Sequence, residues 1–236
     1  MSVPQLNYKG NHMNSKGTNN APQTIDDIIF GNPESKLRIE DIVSGAEALP
    51  DCGKSAILLY GVFGTGKTTL AKMLPNHIEY GKTKEELIFP EEFISCQQGL
   101  NGPQVMGKID AILSKNSLNV SGLHYIILDE VDNLTKLAQQ SLKSALNTPR
   151  GLFVLTTNNV SGLDKGLLDR CVFIEMNAAE PTAYLDIAKS IATKVGVSLS
   201  NDELLPTIQA ANGSFRNLLH NVARLARRKN QPPNIT

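Results

Sequence analysis

Gly61-Val62-Phe63-Gly64-Thr65-Gly66-Lys67-Thr68 stands between an apolar run, Ala56 to Tyr60, and a segment of helical spacing from Thr68 to Leu74. The octet has the pattern G-x-x-x-x-G-K-[ST], and a strand before it with a helix after it is the setting in which that pattern works. Its glycines let the backbone curl into a nest of N–H groups, and the following helix adds the positive end of its dipole. Such a loop suits a polyphosphate. Gly61, Val62, Phe63, Gly64, Thr65, Gly66, Lys67, Thr68 and the adjoining Thr69 are therefore candidates for nucleotide binding. Lys67 would reach the β and γ phosphates, and the Thr68 hydroxyl would take a Mg²⁺ coordination position. No Asn-Lys-x-Asp element of the kind that reads guanine occurs, so ATP is the expected nucleotide.

Working outward, Tyr125 to Leu128, Leu152 to Thr156 and Val172 to Met176 are further apolar runs bounded by polar residues, and Phe93 to Cys96 is a weaker one. Helical spacing fills the gaps, as in Val105 to Leu113 and Leu137 to Leu146. The β-α-β rhythm predicts an α/β fold with a parallel sheet and helices on both faces. After Glu180-Pro181 the pattern becomes purely helical: Thr182 to Val195, Asp202 to Ala211 and Phe215 to Arg228, separated by Gly196 and Asn212-Gly213 as helix stops. These should form a small helical lid. Residues 1–23 are rich in Asn, Gly and Ser and poor in apolar groups, and residues 230–236 carry Pro232-Pro233, so both ends are expected to be disordered tails. Order should begin near Thr24, whose side chain suits a helix start, and continue as a nucleotide-binding domain over 24–178 and a lid over 179–229.

A second site element lies in Tyr125-Ile126-Ile127-Leu128-Asp129-Glu130. A buried strand here runs straight into two carboxylates, delivering them to the carboxyl edge of the sheet, where ligands of such folds bind. Asp129 is suited to hold the Mg²⁺ shell opposite Thr68, and Glu130 to polarise the attacking water.

Bulk composition restricts the alternatives. The chain has 23 Lys plus Arg against 23 Asp plus Glu, which advertises no general affinity for nucleic acid, and its 41% hydrophobic content is ordinary for a globular protein. Cys52, Cys96 and Cys171 are scattered and lack metal or disulfide spacing, no run is apolar enough to span a membrane, and a cytoplasmic setting is expected. His77, His124 and His220 have no metal-ligand spacing, and the run Arg224, Arg227, Arg228, Lys229 reads as charge favouring a helix C-terminus.

The residues beyond the second site element resemble those of clamp-loader ATPases of the AAA+ class of P-loop nucleotidases, a group that includes replication factor C small subunits, the T4-type phage loader and the bacterial gamma/tau subunit. Asp129-Glu130-Val131-Asp132-Asn133-Leu134-Thr135 with Ala138-Gln139-Gln140-Ser141-Leu142 is similar to that group's Walker B region and next helix. The resemblance continues in order. Leu155-Thr156-Thr157-Asn158 looks like sensor 1, which implies that Asn158, with Asn159 as fallback, helps place the lytic water. Leu168-Asp169-Arg170-Cys171 resembles the Ser-Arg-Cys motif, implying that Arg170 reaches a neighbour's ATP as an arginine finger. Gly213-Ser214-Phe215-Arg216-Asn217 is similar to the lid element whose sensor 2 arginine, here Arg216, contacts the γ-phosphate. Thr24 to Gly31, including Ile29, looks like the stretch that packs near the adenine.

Three departures accompany this resemblance. Asp169 stands where the group has Ser. The usual Lys-Tyr-Arg-Pro element is replaced by Asn19-Asn20-Ala21-Pro22. No counterpart of that group's collar domain is expected within the few residues after the lid. The resemblance implies a homo- or hetero-oligomeric ATPase assembly acting on DNA or a DNA-bound protein, with Lys108 and Lys115 flanking one candidate DNA-facing helix. The competing expectation is a protein-remodelling or regulatory ATPase that gates a partner enzyme without touching DNA. A nucleotide switch without useful turnover is disfavoured by the intact Glu130.

Overall fold

The computed structural model describes Pro22 and residues 24–89, 91–96 and 101–230. Five strands, β1 (Ala56–Tyr60), β2 (Glu92–Ser95), β3 (His124–Asp129), β4 (Gly151–Thr157) and β5 (Cys171–Glu175), pair in the order β2-β3-β4-β1-β5. All four pairings are parallel. All five apolar runs are strands, with ends shifted by a residue or so.

Strand alternation explains why these runs are apolar throughout, because successive side chains enter opposite layers and both are covered. Ile57, Leu59, Ile127 and Val154 face one side and pack with Ile39 and Ile42 of α1 (Pro33–Ser44) and Leu70 and Leu74 of α2 (Lys67–Thr83). Ala56, Leu58, Ile126 and Phe153 face the other, against Val105 and Ile109 of α3 (Gly102–Leu113), Leu142 of α4 (Lys136–Ala145) and Leu167 of α5 (Lys165–Leu168). The expected α/β sheet with helices on both faces is what forms.

Two features differ from the sequence reading. Helix α1 was not anticipated, although its signals are present: Asn32 Oδ1 accepts from Glu34 N at 3.0 Å, Pro33 occupies the first turn, and Gly45 ends the helix at φ +85°. Its buried Ile39, Ile42 and Val43 have helical spacing. Helix α2 runs past Leu74 to Thr83 with Pro75 inside it. Proline interrupts one helix hydrogen bond, but Leu74, Pro75, His77 and Ile78 are all buried there, and that packing carries the helix through.

The C-terminal helices α6 (Leu185–Lys194), α7 (Asn201–Ala210) and α8 (Phe215–Lys229) gather around their own apolar cluster, with Ala188, Ile191, Leu204, Leu218 and Val222 at its centre. Pro181–Tyr184 form a separate short turn ahead of α6. Gly196 and Gly213 take φ +82° and +73° at the breaks between these helices. Apart from Pro22 and Asn230, the two expected tails lie outside the described residues. Among the described residues, no helix is long and apolar enough to cross a membrane.

Candidate nucleotide site

The loop between β1 and α2 is where the sequence placed it, and its backbone needs its glycines. Gly61, Gly64 and Gly66 sit at φ +143°, +80° and +98°. Lys67 is 7% exposed and its Nζ donates to the carbonyls of Gly61 at 2.9 Å and Val62 at 2.6 Å. Burial pushes its pKa below the ordinary lysine value, against the pull of Asp132, Asp129 and Glu130. Val62 is anchored from outside, its N–H donating to Asn177 Oδ1 at 3.2 Å.

Strand β3 ends beside this loop. Asp129 Oδ1 accepts from Thr68 Oγ1 at 2.8 Å and from Thr156 Oγ1 at 2.7 Å. The same Thr156 hydroxyl accepts from Glu130 N at 2.9 Å, so one β4 side chain fixes both carboxylate positions. Glu130 is held at φ +60°, an uncommon conformation for a residue other than glycine that turns the chain sharply off the sheet. Its Oε2 accepts from Asn133 Nδ2 at 3.3 Å.

A cavity of about 450 Å³ opens over the loop. Its lining brings together Lys67, Thr68, Thr69, Glu130, Asn158 and Arg216, with Phe63, Gly64 and Gly66 at the loop side. Asn158 thus faces the cavity, whereas the exposed Asn159 turns back on its own loop: its N–H donates to Thr157 Oγ1 at 3.0 Å and its Oδ1 accepts from Ser161 at 2.7 Å. Arg216 comes from the first turn of α8, which is docked on the loop itself by a hydrogen bond from Phe215 N to Gly64 O of 2.8 Å. Ile29 lines a smaller adjoining pocket with Asp27, Ile28, Thr65, Tyr184 and Phe215.

Arg170 is elsewhere. Its carbonyl accepts from Ser55 and Ala56 N–H at the beginning of β1, while the phosphate-type loop follows the end of that strand. Five extended residues separate the two by about 15 Å, which an arginine side chain cannot span. Its guanidinium is held by Asn147 Oδ1 (2.8 Å from Nε) and Gly166 O (2.7 Å from Nη1), not by Asp169.

Sequence reasoning missed two residues that organise this region. Thr156 becomes visible only through the register of β3 and β4, which sets Leu128 opposite Leu155 and so Thr156 beside Asp129. Gln139, 1% exposed on α4, donates to Leu134 O at 3.1 Å and accepts from Asp164 N at 2.8 Å. It ties the turn after Glu130 to the start of α5, the helix that leads into Arg170.

The donors around Asp129 are all oxygen, a carboxylate with flanking hydroxyls, and Asp132 Oδ1 is buried without a hydrogen-bond partner. This set fits a small hard cation that takes its remaining ligands from phosphate and water. Among the described residues no three His, Cys, Asp or Glu side chains converge as a metal-binding group. His77 is buried on α2, and burial holds it below the ordinary histidine pKa. Of the basic run on α8, Lys229 pairs with Glu203. Lys108 lies exposed on α3 and Lys115 just beyond its end.

A phosphate-type loop after β1, a carboxylate strand end beside it and a lid helix over both define a P-loop nucleotidase. The match to the family model described as "ATPase family associated with various cellular activities (AAA)" covers residues 57–177, and the chain belongs to that ATPase family. Sequence relatives include replication factor C small subunit 2 of Pyrobaculum islandicum, 27% identical over 201 residues, covering 84% of this chain and 59% of that protein. Another is replication factor C subunit 4 of Caenorhabditis elegans, 27% identical over 218 residues, covering 87% and 60%. The chain therefore spans about three fifths of the length of these relatives. In fold it is similar to the RuvB Holliday junction branch migration motor of Thermotoga maritima, with a TM-score of 0.60 at 20% identity, covering 89% of this chain and 64% of that one.

Thr156→Val keeps the shape of the side chain but leaves Glu130 N–H without its acceptor and Asp129 Oδ1 with Thr68 as its remaining hydroxyl donor. The lost hydrogen bond to the Asp129 carboxylate is of the kind worth about 1.5–3 kcal/mol, and with both carboxylate positions deprived of a positioning contact, turnover is expected to fall roughly tenfold or more. Steady-state ATPase rates of the folded variant check this.

Proposed function

We propose that this chain is a Mg-ATP-dependent, clamp-loader-like ATPase subunit that hydrolyses ATP at contacts between subunits to act on DNA or on a DNA-bound protein. One observation carries the reading: Lys67, Thr68, Glu130, Asn158 and Arg216 converge on one cavity, while Arg170 stands at the opposite end of the sheet. In this reading Lys67 and the loop N–H groups hold the phosphates, and Arg216 reads the γ-phosphate from the lid. Ile29 packs by the adenine, and Glu130 takes the proton of a water placed by Asn158. Thr68 and Asp129 would hold Mg²⁺, whose chemistry is to neutralise charge building on the phosphate oxygens. Arg170 completes the site of a neighbour. The replication factor C relatives favour DNA as the setting of the work.

Glu130→Gln is expected to bind Mg-ATP normally and turn it over at least about a hundredfold more slowly, because the amide keeps shape but cannot accept the proton. Calorimetric binding and ATPase rates, measured side by side, separate the two effects. Normal turnover would shift the base to another carboxylate, Asp132 first.

The DNA part of the reading is tested by ATPase rate with and without primer-template DNA, at low and moderate salt. Stimulation that fades with salt is expected, because phosphate contacts release counterions. An unstimulated rate at both salts would favour a protein-remodelling ATPase instead.

A further inference from the structure

Beside Arg170 stands a second cation that neither the motif resemblance nor the cavity accounts for. Lys143 lies near the C-terminal end of α4, half-buried, with its stem laid across Gly166 of α5. A Cβ on Gly166 would overlap Lys143 Cδ and lie 3.4 Å from its Nζ. Arg170 Nη1 donates to the carbonyl of the same Gly166 at 2.7 Å. Two positive side chains therefore meet over one residue that offers no side chain of its own.

Neither belongs to any of the ion pairs among the described residues, which join Lys36 to Asp26 and Glu40, Arg38 to Glu47 and Lys229 to Glu203. One carboxylate is close, since Asp164 Oδ1 would lie 3.2 Å from the same Gly166 Cβ, but it forms no ion pair with either cation and is committed to the start of α5. Asp164 Oδ1 caps α5, accepting from Gly166 N at 2.9 Å and Leu167 N at 3.1 Å. Asp169 is exposed and contributes its carbonyl to Lys54 Nζ at 2.5 Å, which adds a third cation to the same edge. Lys143, Arg170 and Lys54 outnumber the carboxylates of Asp164 and Asp169 at this edge, so an anion brought between Lys143 and Arg170 would relieve their repulsion. Arg170 is fixed by two hydrogen bonds that leave part of its fork free, so the pair is pre-oriented toward such an anion.

We infer that Lys143 and Arg170 form a two-cation clamp for the triphosphate bound by a neighbouring copy of this chain. The inference rests on the reading that Arg170 acts on a neighbour. It cannot be its own chain's triphosphate, because the phosphate-type loop is about 15 Å away along β1, beyond the reach of a lysine stem. Lys143 would share the charge of the terminal phosphates with Arg170, so it would act in turnover and not in the affinity of its own subunit for ATP.

Lys143→Met keeps the stem and removes the charge, and Lys143→Arg keeps both. The methionine variant is expected to lose about tenfold or more in turnover with unchanged ATP affinity, and the arginine variant to retain most activity. Mixing Lys143→Met with Glu130→Gln should recover activity, because some interfaces then pair an intact Glu130 with an intact neighbouring Lys143. Arg170→Ala mixed with Glu130→Gln is the control. If the control recovers but Lys143→Met is as active as the unaltered protein, or is slow and stays slow in the mixture, the clamp is overturned and the trans reading stands. If neither mixture recovers, the trans reading falls and the clamp with it. A Lys143→Met defect seen only with DNA present would overturn the clamp in favour of a nucleic-acid contact.

Discussion

Lys67→Ala is expected to abolish measurable ATP binding. Lys67 is buried under its own loop, and its ammonium donates to two loop carbonyls, at 2.9 and 2.6 Å. Burial alone disfavours the charge, and three carboxylates from the Asp129 to Asp132 segment sustain it. Such a cation is already stripped of much of its water, so the cost of desolvation on meeting phosphate is small and the attraction is strong. Its removal takes away the only cation contributed by the loop and also the ties that hold Gly61 and Val62 in place. Titration calorimetry with Mg-ATP should show no resolvable binding, which takes a loss of at least about a hundredfold, and losing charge-assisted contacts of about 1.5–3 kcal/mol each to two phosphates is enough for that. Unfolding curves of the same sample control for the fold. Unaltered affinity would remove Lys67 from the phosphate site.

The layers of the molecule differ in how far the chain betrays them. The sheet was legible because parallel strands buried on both faces must be apolar at every position, and Ile57 to Leu59, Ile126 to Leu128 and Leu152 to Leu155 obey that rule. The loop was legible because only glycines tolerate its φ angles. Asp129 and Glu130 were legible because carboxylates following an apolar strand have one place to go. What the sequence could not disclose depends on register and on contacts between distant segments. Thr156 is one hydroxyl in a strand until β4 is laid beside β3. Gln139 reads as a surface residue of a helix until Leu134 and Asp164 are found at its two ends. Helix α1 was missed for a different reason. Its cap and its Gly45 stop are ordinary signals, but its exposed face is dense in charge and its apolar stripe is narrow, so Ile39, Ile42 and Val43 stand out only once α2 covers them. The extension of α2 through Pro75 shows tertiary packing overriding a local breaker.

The position of Arg170 leads to the second large effect. In its own chain the guanidinium is bound to Asn147 and Gly166 at the amino end of β5, while the cavity lies at the carboxyl end of the sheet. Arg170→Ala should therefore leave ATP affinity nearly intact. Turnover should fall on the order of a thousandfold, the scale of an arginine finger supplied by a neighbour. If Arg170 serves a neighbour's site as proposed, specific activity of the unaltered protein should rise with protein concentration, and the variant should lose that rise. Gln139 fastens the turn after Glu130 to the helix that leads into Arg170, so on the proposed reading a subunit's own carboxylate and the arginine it offers its neighbour are joined through one buried side chain. Mixing Arg170→Ala with Glu130→Gln should restore part of the rate from two slow proteins. If activity per subunit is independent of concentration and the mixture stays slow, Arg170 is a structural residue that locks α5 to Asn147, and each chain hydrolyses ATP with its own groups alone.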